Sequence, residues 1–522
     1  MKINFLKQDR KLKNIKIGRV LTFIFLFALA GYSALATTYY VDNVKGSDGN
    51  PGTSVNKAWK NLAKVSNTIF SAGDRILLKA GGSWTGHLKF EGSGKAGNPI
   101  VVGQYGAGNK PQIHAEGMFL VAVLLENGEY WEVNNLEITN RGKEVQSGRT
   151  GVLLSLNNFG VAHGIKLKNL YIHDINGDNK VRQRGGFGIH WSAEGNSNFD
   201  GLLIEGCHLV RTDCNGIWGD GAKDLYDQNV IIRNNLLEDI GGDGIVVCYA
   251  NNALIEYNRL HKARQRVLTS CAGIWPYSSD GTVIQFNEVS GVKGFEDGMS
   301  FDVDSYCHNT IFQYNYSHDN DGGFLLVMPE TGATVRYNIS QNDGHGSRII
   351  HFTRPVDSLL VYNNTFYGGS GIITKLIQYG PKSFDNPKVR FENNIFYVNG
   401  SVTIERLTFL SNGEQYMYTD GTYPSEIVIE ESLERSFKNN IFFPATNFGN
   451  RPLNSSNKTV NPVLVAPGSA KDIKSLSGYQ LKKDSPAIGA GLFINNNGGR
   501  DFFGNILPVI GAPDAGAHQL SK

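Results

Sequence analysis

The feature that most constrains this 522-residue chain is a short motif that returns ten times between residues 133 and 440. Alternating apolar residues lead into asparagine, as in Ile231-Ile232-Arg233-Asn234-Asn235, Leu254-Ile255-Glu256-Tyr257-Asn258 and Ile311-Phe312-Gln313-Tyr314-Asn315. From Asn235 to Asn394 the spacings are 23, 29, 28, 23, 26 and 30 residues. A second motif lies between the copies: Gly188-Ile189, Gly216-Ile217, Gly244-Ile245, Gly273-Ile274, Gly298-Met299 and Gly323-Phe324, spaced 28, 28, 29, 25 and 25 residues apart. Two short strands per repeat, each bounded by Asn or Gly, make one turn of a solenoid. A single turn cannot bury its inward face, so successive turns must stack as parallel strands about 4.8 Å apart. Asn at a fixed place in each turn suits a left-handed corner whose side-chain amides hydrogen-bond from turn to turn.

Composition agrees. The 62 glycines and 51 asparagines exceed a fifth of the chain, and both residues tolerate the left-handed backbone region that tight corners need. A hydrophobic content of 40%, with 28 Phe and 22 Tyr, is ample for a core and excludes a disordered chain. Lys2, Lys7, Arg10, Lys11, Lys13, Lys16 and Arg19 precede the apolar run 20–30 and Ala34-Leu35-Ala36, which is the layout of a secretory signal peptide cut after Ala36. The run is too short for a membrane span. Residues 37–522 carry a net charge of −4 once that segment is set aside, a poor basis for nucleic-acid binding. The protein is thus expected to be secreted or periplasmic, monomeric, and without a nucleic-acid partner. Five cysteines, at 207, 214, 248, 271 and 307, show no C-x-x-C pairing; they read either as small buried apolar residues or as one disulfide with others left over.

The repeat resembles the right-handed parallel β-helix of the pectin-lyase-like superfamily over roughly 130–445. Tyr39-Tyr40-Val41-Asp42 and the stretch 46–53 are similar to the opening of secreted bacterial β-helix proteins. That resemblance implies a short helix, about 58–70, plugging the first coil. The tail, with Asp484-Ser485-Pro486-Ala487 and Asp514-Ala515-Gly516-Ala517, is similar to their closing segment. The chain therefore divides into a signal peptide (1–36), an N-terminal cap with the first coils (37–128), the all-β parallel helix (129–445, with functional coils at about 186–355) and a C-terminal capping segment (446–522).

Stacking turns sequence spacing into distance, so the residues beside the Gly-Ile strand form an outward row. His190, Trp218, Asp220, Trp275, Tyr277, Asp302 and Asp304 fall on it, mixing rings with carboxylates as a sugar-binding face does. Asp243 and the pair Glu296-Asp297 each precede an anchor glycine, with one coil between them. Asp302 and Asp304 are separated by roughly 6.6 Å along a strand. Inverting glycosidases place an acid and a base roughly 6.5–9.5 Å apart, and crowding of like charges raises the pKa that the acid needs. Downstream, Glu330, His345 and Arg348 complete the candidate set, with insertions at 140–150, 176–186 and 219–228 as walls.

Glu296-Asp297-Gly298-Met299 and Gly344-His345-Gly346 also resemble the Asp-Asp and His-Gly motifs of polygalacturonase-type hydrolases. This implies Asp297 as the acid, Glu296 as a water-activating partner and His345 as an orienting residue. The Asn-Thr-Asp element of that family is absent, since Cys271-Ala272-Gly273-Ile274 stands in its place, and His345 lies a coil too far on. The resemblance is therefore to the superfamily.

Three functions remain in view. The first is an exported glycoside hydrolase acting on a polysaccharide or oligosaccharide, catalytic through Asp297, Asp302 and Asp304 with Asp243 or Glu296, and needing no cofactor. The second is a calcium-dependent lyase of pectate or alginate type, in which the acidic cluster holds Ca²⁺ and Arg348 or Arg354 removes a proton. The third is a glycan-binding β-helix without catalysis, using the same aromatic and acidic face.

Overall fold

The computed structural model describes residues 36–520 apart from 181, 183, 268, 295–296, 381–385, 408–424 and 429–433. Apart from Ala36, the expected signal peptide lies outside the described residues, as does Glu296. Among the described residues, no helix is long and apolar enough to cross a membrane.

The solenoid is present as expected. Among the described residues, three long sheets of 14, 13 and 14 strands form its faces, and neighbours within each sheet come from successive turns. Pairing is parallel, except where Ser425–Ile427 runs antiparallel to Thr403–Leu407 at the end of the third sheet, and it keeps register from turn to turn: Ile231 lies beside Leu254, Leu254 beside Val283, and Val283 beside Ile311. Inward positions are filled by branched apolar side chains, the residue type that packs best on a pleated surface. Ile189, Ile217, Ile245 and Ile274 stack directly on one another and are fully buried. Gly219 occupies an inward position because the Trp191 indole fills that space; a Cβ there would sit 1.8 Å from the ring. A further four-stranded sheet flanks the earlier coils, from Gly160–His163 to Ala250–Asn251.

The asparagines form one continuous ladder. Asn235, Asn258, Asn287, Asn315, Asn338, Asn364, Asn394, Asn440 and Asn457 each bond to the next, the amide nitrogen of one donating to the Oδ1 of the following one. The backbone N–H of each donates to the same oxygen. The left-handed corner, however, is one residue earlier than the sequence suggests. Asn234, Tyr257, Phe286, Tyr314, Tyr337, Asn363, Asn393 and Asn439 carry the positive φ. The corner turns the ladder Asn inward and its predecessor outward, which is why Tyr257, Phe286 and Tyr314 stack face to face at 4.9 and 5.0 Å.

Both ends differ in detail from expectation. The N-terminal helix is only Leu62–Ser66, with Leu62 and Val65 buried against the first coil, and Ile69–Phe70 is already a strand. The segment after 445 adds one more rung, where Asn457 continues the ladder and Ile441 bridges Lys458. The chain then runs back along the flank of the solenoid. Tyr314 Oη donates to the Arg500 carbonyl, Arg336 Nη1 to the Asn496 carbonyl and Asn363 Nδ2 to the Asp514 carbonyl. All five cysteines are buried thiols, none of them in a disulfide.

Candidate active site

The third sheet carries the site. Its strands Ile274–Tyr277, Met299–Val303, Gly323–Val327 and Arg348–Phe352 are consecutive rungs. Ile274 pairs with Phe301 rather than Met299, so the repeat slips by two residues at this rung. A slip of two keeps the faces unchanged. Asp302 consequently stands on the outward row next to Trp275, and the row continues through Leu326 to His351. Above these strands lies a cavity of about 260 Å³. Asp297, Asp302, Asp304, His351 and Thr353 supply its polar lining, Leu326, Met328 and Leu407 its apolar part, and Arg182 and Ser270 reach in from loops.

The three acids share one enclosure, and their titration reflects it. Burial, followed by repulsion from Asp304 and Asp297, pushes Asp302 well above the usual carboxyl range. Its Oδ1 has no hydrogen-bond partner among the described residues. Burial also raises Asp304, but the Ser305 N–H donates to it at 2.6 Å and Arg182 opposes the rise, so both favour its charged form. Asp297, at the entrance of its strand and partly exposed, is pushed by burial up to about 6, with Arg264 opposing and Asp243 adding to the shift. Arg182 is a cavity-lining cation set over the Trp275 ring at 5.1 Å. Its backbone carbonyl accepts from the Cys214 thiol and the Asn215 amide, both at 2.7 Å, and its Nη1 donates to the Ser270 carbonyl. Arg182 thus brings a guanidinium from within the 176–186 insertion to the cavity, whereas the described residues of 140–150 and 219–228 supply none of its lining.

Other sequence candidates sit elsewhere. Asp243 is fully buried behind the cavity, where its Oδ1 accepts from the Trp275 indole and the Ala272 N–H, both at 2.8 Å. Its place is that of a support for Trp275 and, through that ring, for Arg182. Trp218 and Trp275 do not floor a cleft: they are 4% and 2% exposed and pack edge to face at 5.8 Å. The outward face of a coil is covered here by loops, so an outward position is not an exposed one. Tyr277 lies beside Tyr249 outside the cavity lining, and His190 stacks on Phe187, three rungs away from Trp275's. Asp220 lies outside the lining as well. His345 is exposed on its loop and Glu330 is exposed at a left-handed corner, so neither reaches the cavity. Arg348 is buried and donates through Nη2 to His351 Nδ1 at 2.8 Å.

Arg182 and His351 are the residues that sequence reasoning missed. His351 follows Leu326 by 25 residues, close to the 27 and 24 that separate Trp275, Asp302 and Leu326, so extending the row by one turn finds it. Nothing in the sequence marks Arg182, because its position depends on how an insertion folds back.

Comparison with known proteins places these coils in context. The family described as right handed beta helix region matches residues 118–296. A lacto-N-biosidase of Bifidobacterium longum subsp. longum is 29% identical, in an alignment covering 92% of this chain and 36% of that protein. The chain therefore spans little more than a third of the length of that curated relative. The crystal structure of GH136 lacto-N-biosidase from Eubacterium ramulus superposes with a TM-score of 0.54 at 29% identity, over 66% of this chain and 64% of that one. The complex of XylC with xylose gives a TM-score of 0.51 at 12% identity over 93% and 99%, a likeness of fold alone. The chain is a right-handed parallel β-helix, and the fold is shared with proteins that act on carbohydrates.

Proposed function

We propose that the chain is an exported glycoside hydrolase acting on an oligosaccharide in the cavity above Asp302. The observation that carries this reading is the convergence of three carboxyls and one arginine in a single enclosure, set in a chain that is 29% identical to a lacto-N-biosidase over nearly its whole length. Glycoside hydrolysis needs one carboxyl that is protonated and able to give its proton up, and a second that is charged. Asp297, held at about 6, suits the general acid, because a proton donor works best with a pKa near the operating pH. Asp304, supported by the Ser305 N–H, is the charged partner that attacks the sugar or activates water. Asp302 stays protonated and serves as a neutral donor to the substrate. Arg182 balances the negative charge of the group without neutralising the site.

The relatives' name makes the p-nitrophenyl glycoside of lacto-N-biose the first substrate to try. Asp297→Asn and Asp304→Asn should each lower kcat by roughly a hundredfold or more, the scale of general acid–base catalysis. Turnover unchanged in either variant would refute the assignment. Release continuing in the presence of a chelator, without ultraviolet absorbance from an unsaturated product, separates hydrolysis from the calcium-dependent lyase reaction.

A further inference from the structure

We propose that His351 is a substrate-binding residue, a neutral imidazole that donates its Nε2–H to a sugar oxygen in the cavity, and that Arg348 is the positioning residue fixing that tautomer. This rests on the hydrolase reading and adds to it a donor on the far side of the cavity from Trp275. The first observation is the direction of one hydrogen bond. A guanidinium only donates, so the contact from Arg348 Nη2 to His351 Nδ1 at 2.8 Å makes Nδ1 the acceptor and leaves the proton on Nε2. Arg348 Nη1 is itself anchored on Ser347 Oγ at 3.0 Å, which holds the fork in place.

The second observation is that this Nε2–H is not satisfied. His351 is 5% exposed and lines the cavity, yet its Nε2 has no hydrogen-bond partner among the described residues. A buried polar group left unpaired is destabilising, so such a group facing a cavity is poised for a ligand. Asp302 Oδ1 is in the same state. The two residues lie on one outward row with Leu326 between them, two rungs apart, or about 9.6 Å at 4.8 Å per rung. A sugar ring lying over Leu326 would meet a polar group at each end and an apolar floor in the middle.

The adjacent cation also tells against a proton-transfer role. Burial, with Arg348 beside the ring adding to it, holds the imidazole well below its ordinary range. The charged groups facing it across the cavity are Asp297, Asp302, Asp304 and Arg182. With a guanidinium on one nitrogen and, among the described residues, no base bonded to the other, the ring binds and does not shuttle protons.

Three measurements test this. Nitrogen-15 spectra of histidine-labelled protein, with the resonance assigned by its loss in His351→Gln, should show a neutral Nε2–H ring that stays neutral at pH 5. In Arg348→Met the same ring should titrate at higher pH. Calorimetry with free lacto-N-biose on an Asp304→Asn background should show His351→Phe weakening binding roughly ten- to a hundredfold, with His351→Gln, whose amide reaches the Nε2 position, recovering most of it. In the active enzyme the same loss should appear mainly in KM. A ring protonated on Nδ1, or His351→Phe binding as the parent does, or no binding by the parent protein, would overturn the proposal. The hydrolase reading fails separately, through unchanged turnover in Asp304→Asn.

Discussion

Replacing Asn315 by leucine, a side chain of similar size without polar atoms, breaks the asparagine ladder at its centre. Asn315 is fully buried and its side chain makes four hydrogen bonds. It donates to the Ile284 carbonyl and to Asn338 Oδ1, and it accepts from Asn287 N and Asn287 Nδ2, all between 2.8 and 3.0 Å. Two of those partners keep another bond: Asn287 Nδ2 still reaches the Ile255 carbonyl, and Asn338 Oδ1 still accepts the backbone N–H of residue 315. The Asn287 backbone N–H loses the acceptor it has and is left inside the solenoid. Three lost bonds at about 1 kcal/mol each, with one orphaned donor at about 1–3 kcal/mol, give a destabilisation of about 4–6 kcal/mol. Asn457→Leu is the comparison at the end of the ladder, where Asn457 is only partly buried and its side chain makes three bonds rather than four, although the Asn440 N–H it abandons is buried. There two lost bonds at about 1 kcal/mol each and one orphaned donor at about 1–3 kcal/mol give about 3–5 kcal/mol. Solenoids unfold by neighbouring units, so the readout should be local as well as global. Amide hydrogen exchange at Asn287 should quicken in Asn315→Leu and not in Asn457→Leu, and the urea midpoint should fall below that of Asn457→Leu. Equal midpoints and an unchanged Asn287 amide would refute the view that the ladder holds the coils in register.

Other outcomes follow from the site. If Asp297 must be protonated, kcat/KM falls as pH rises through about 6; Arg182→Met removes a cation that holds this carboxyl down, so the limb should move to higher pH, and a fixed limb would separate Asp297 from the acid role. Asp243→Leu abandons the Trp275 indole and the Ala272 N–H and should cost about 2–6 kcal/mol in urea unfolding, whereas Asp243→Asn keeps an acceptor and should cost about 1 kcal/mol. Asp343, buried among Ser317, Ser340 and Asn320, is raised by burial to about 6. Its protonated form is favoured in the fold, so its stabilisation is full below the unfolded value of about 3.9 and is lost as pH rises through about 6, a difference of about 3 kcal/mol. Asp343→Asn should flatten that part of the stability profile between pH 4 and 6, as thermal melts would show.

The repeat made the solenoid legible because a coil that cannot close its own core writes its period into the chain. Inward Ile189, Ile217, Ile245 and Ile274 and the outward position of Asp302 all follow from alternation and spacing, with no tertiary knowledge. A register slip at Met299 did not disturb this, since it moves the strand by two and side-chain direction repeats every two. What alternation cannot give is whether an outward residue is open. Trp218 and Trp275 point away from the core and are still buried, because loops fold over that face, and loop paths are set by long-range contacts that leave no period in the sequence. Arg182 reaches the cavity from a loop whose carbonyl Cys214 and Asn215 hold, and Asp243 stands behind Trp275 as the acceptor of its indole. The chain by itself therefore determined the spring and which side of it each residue faces; the folded molecule decided which of the outward acids share one enclosure, and so which of them have their charge shaped by one another.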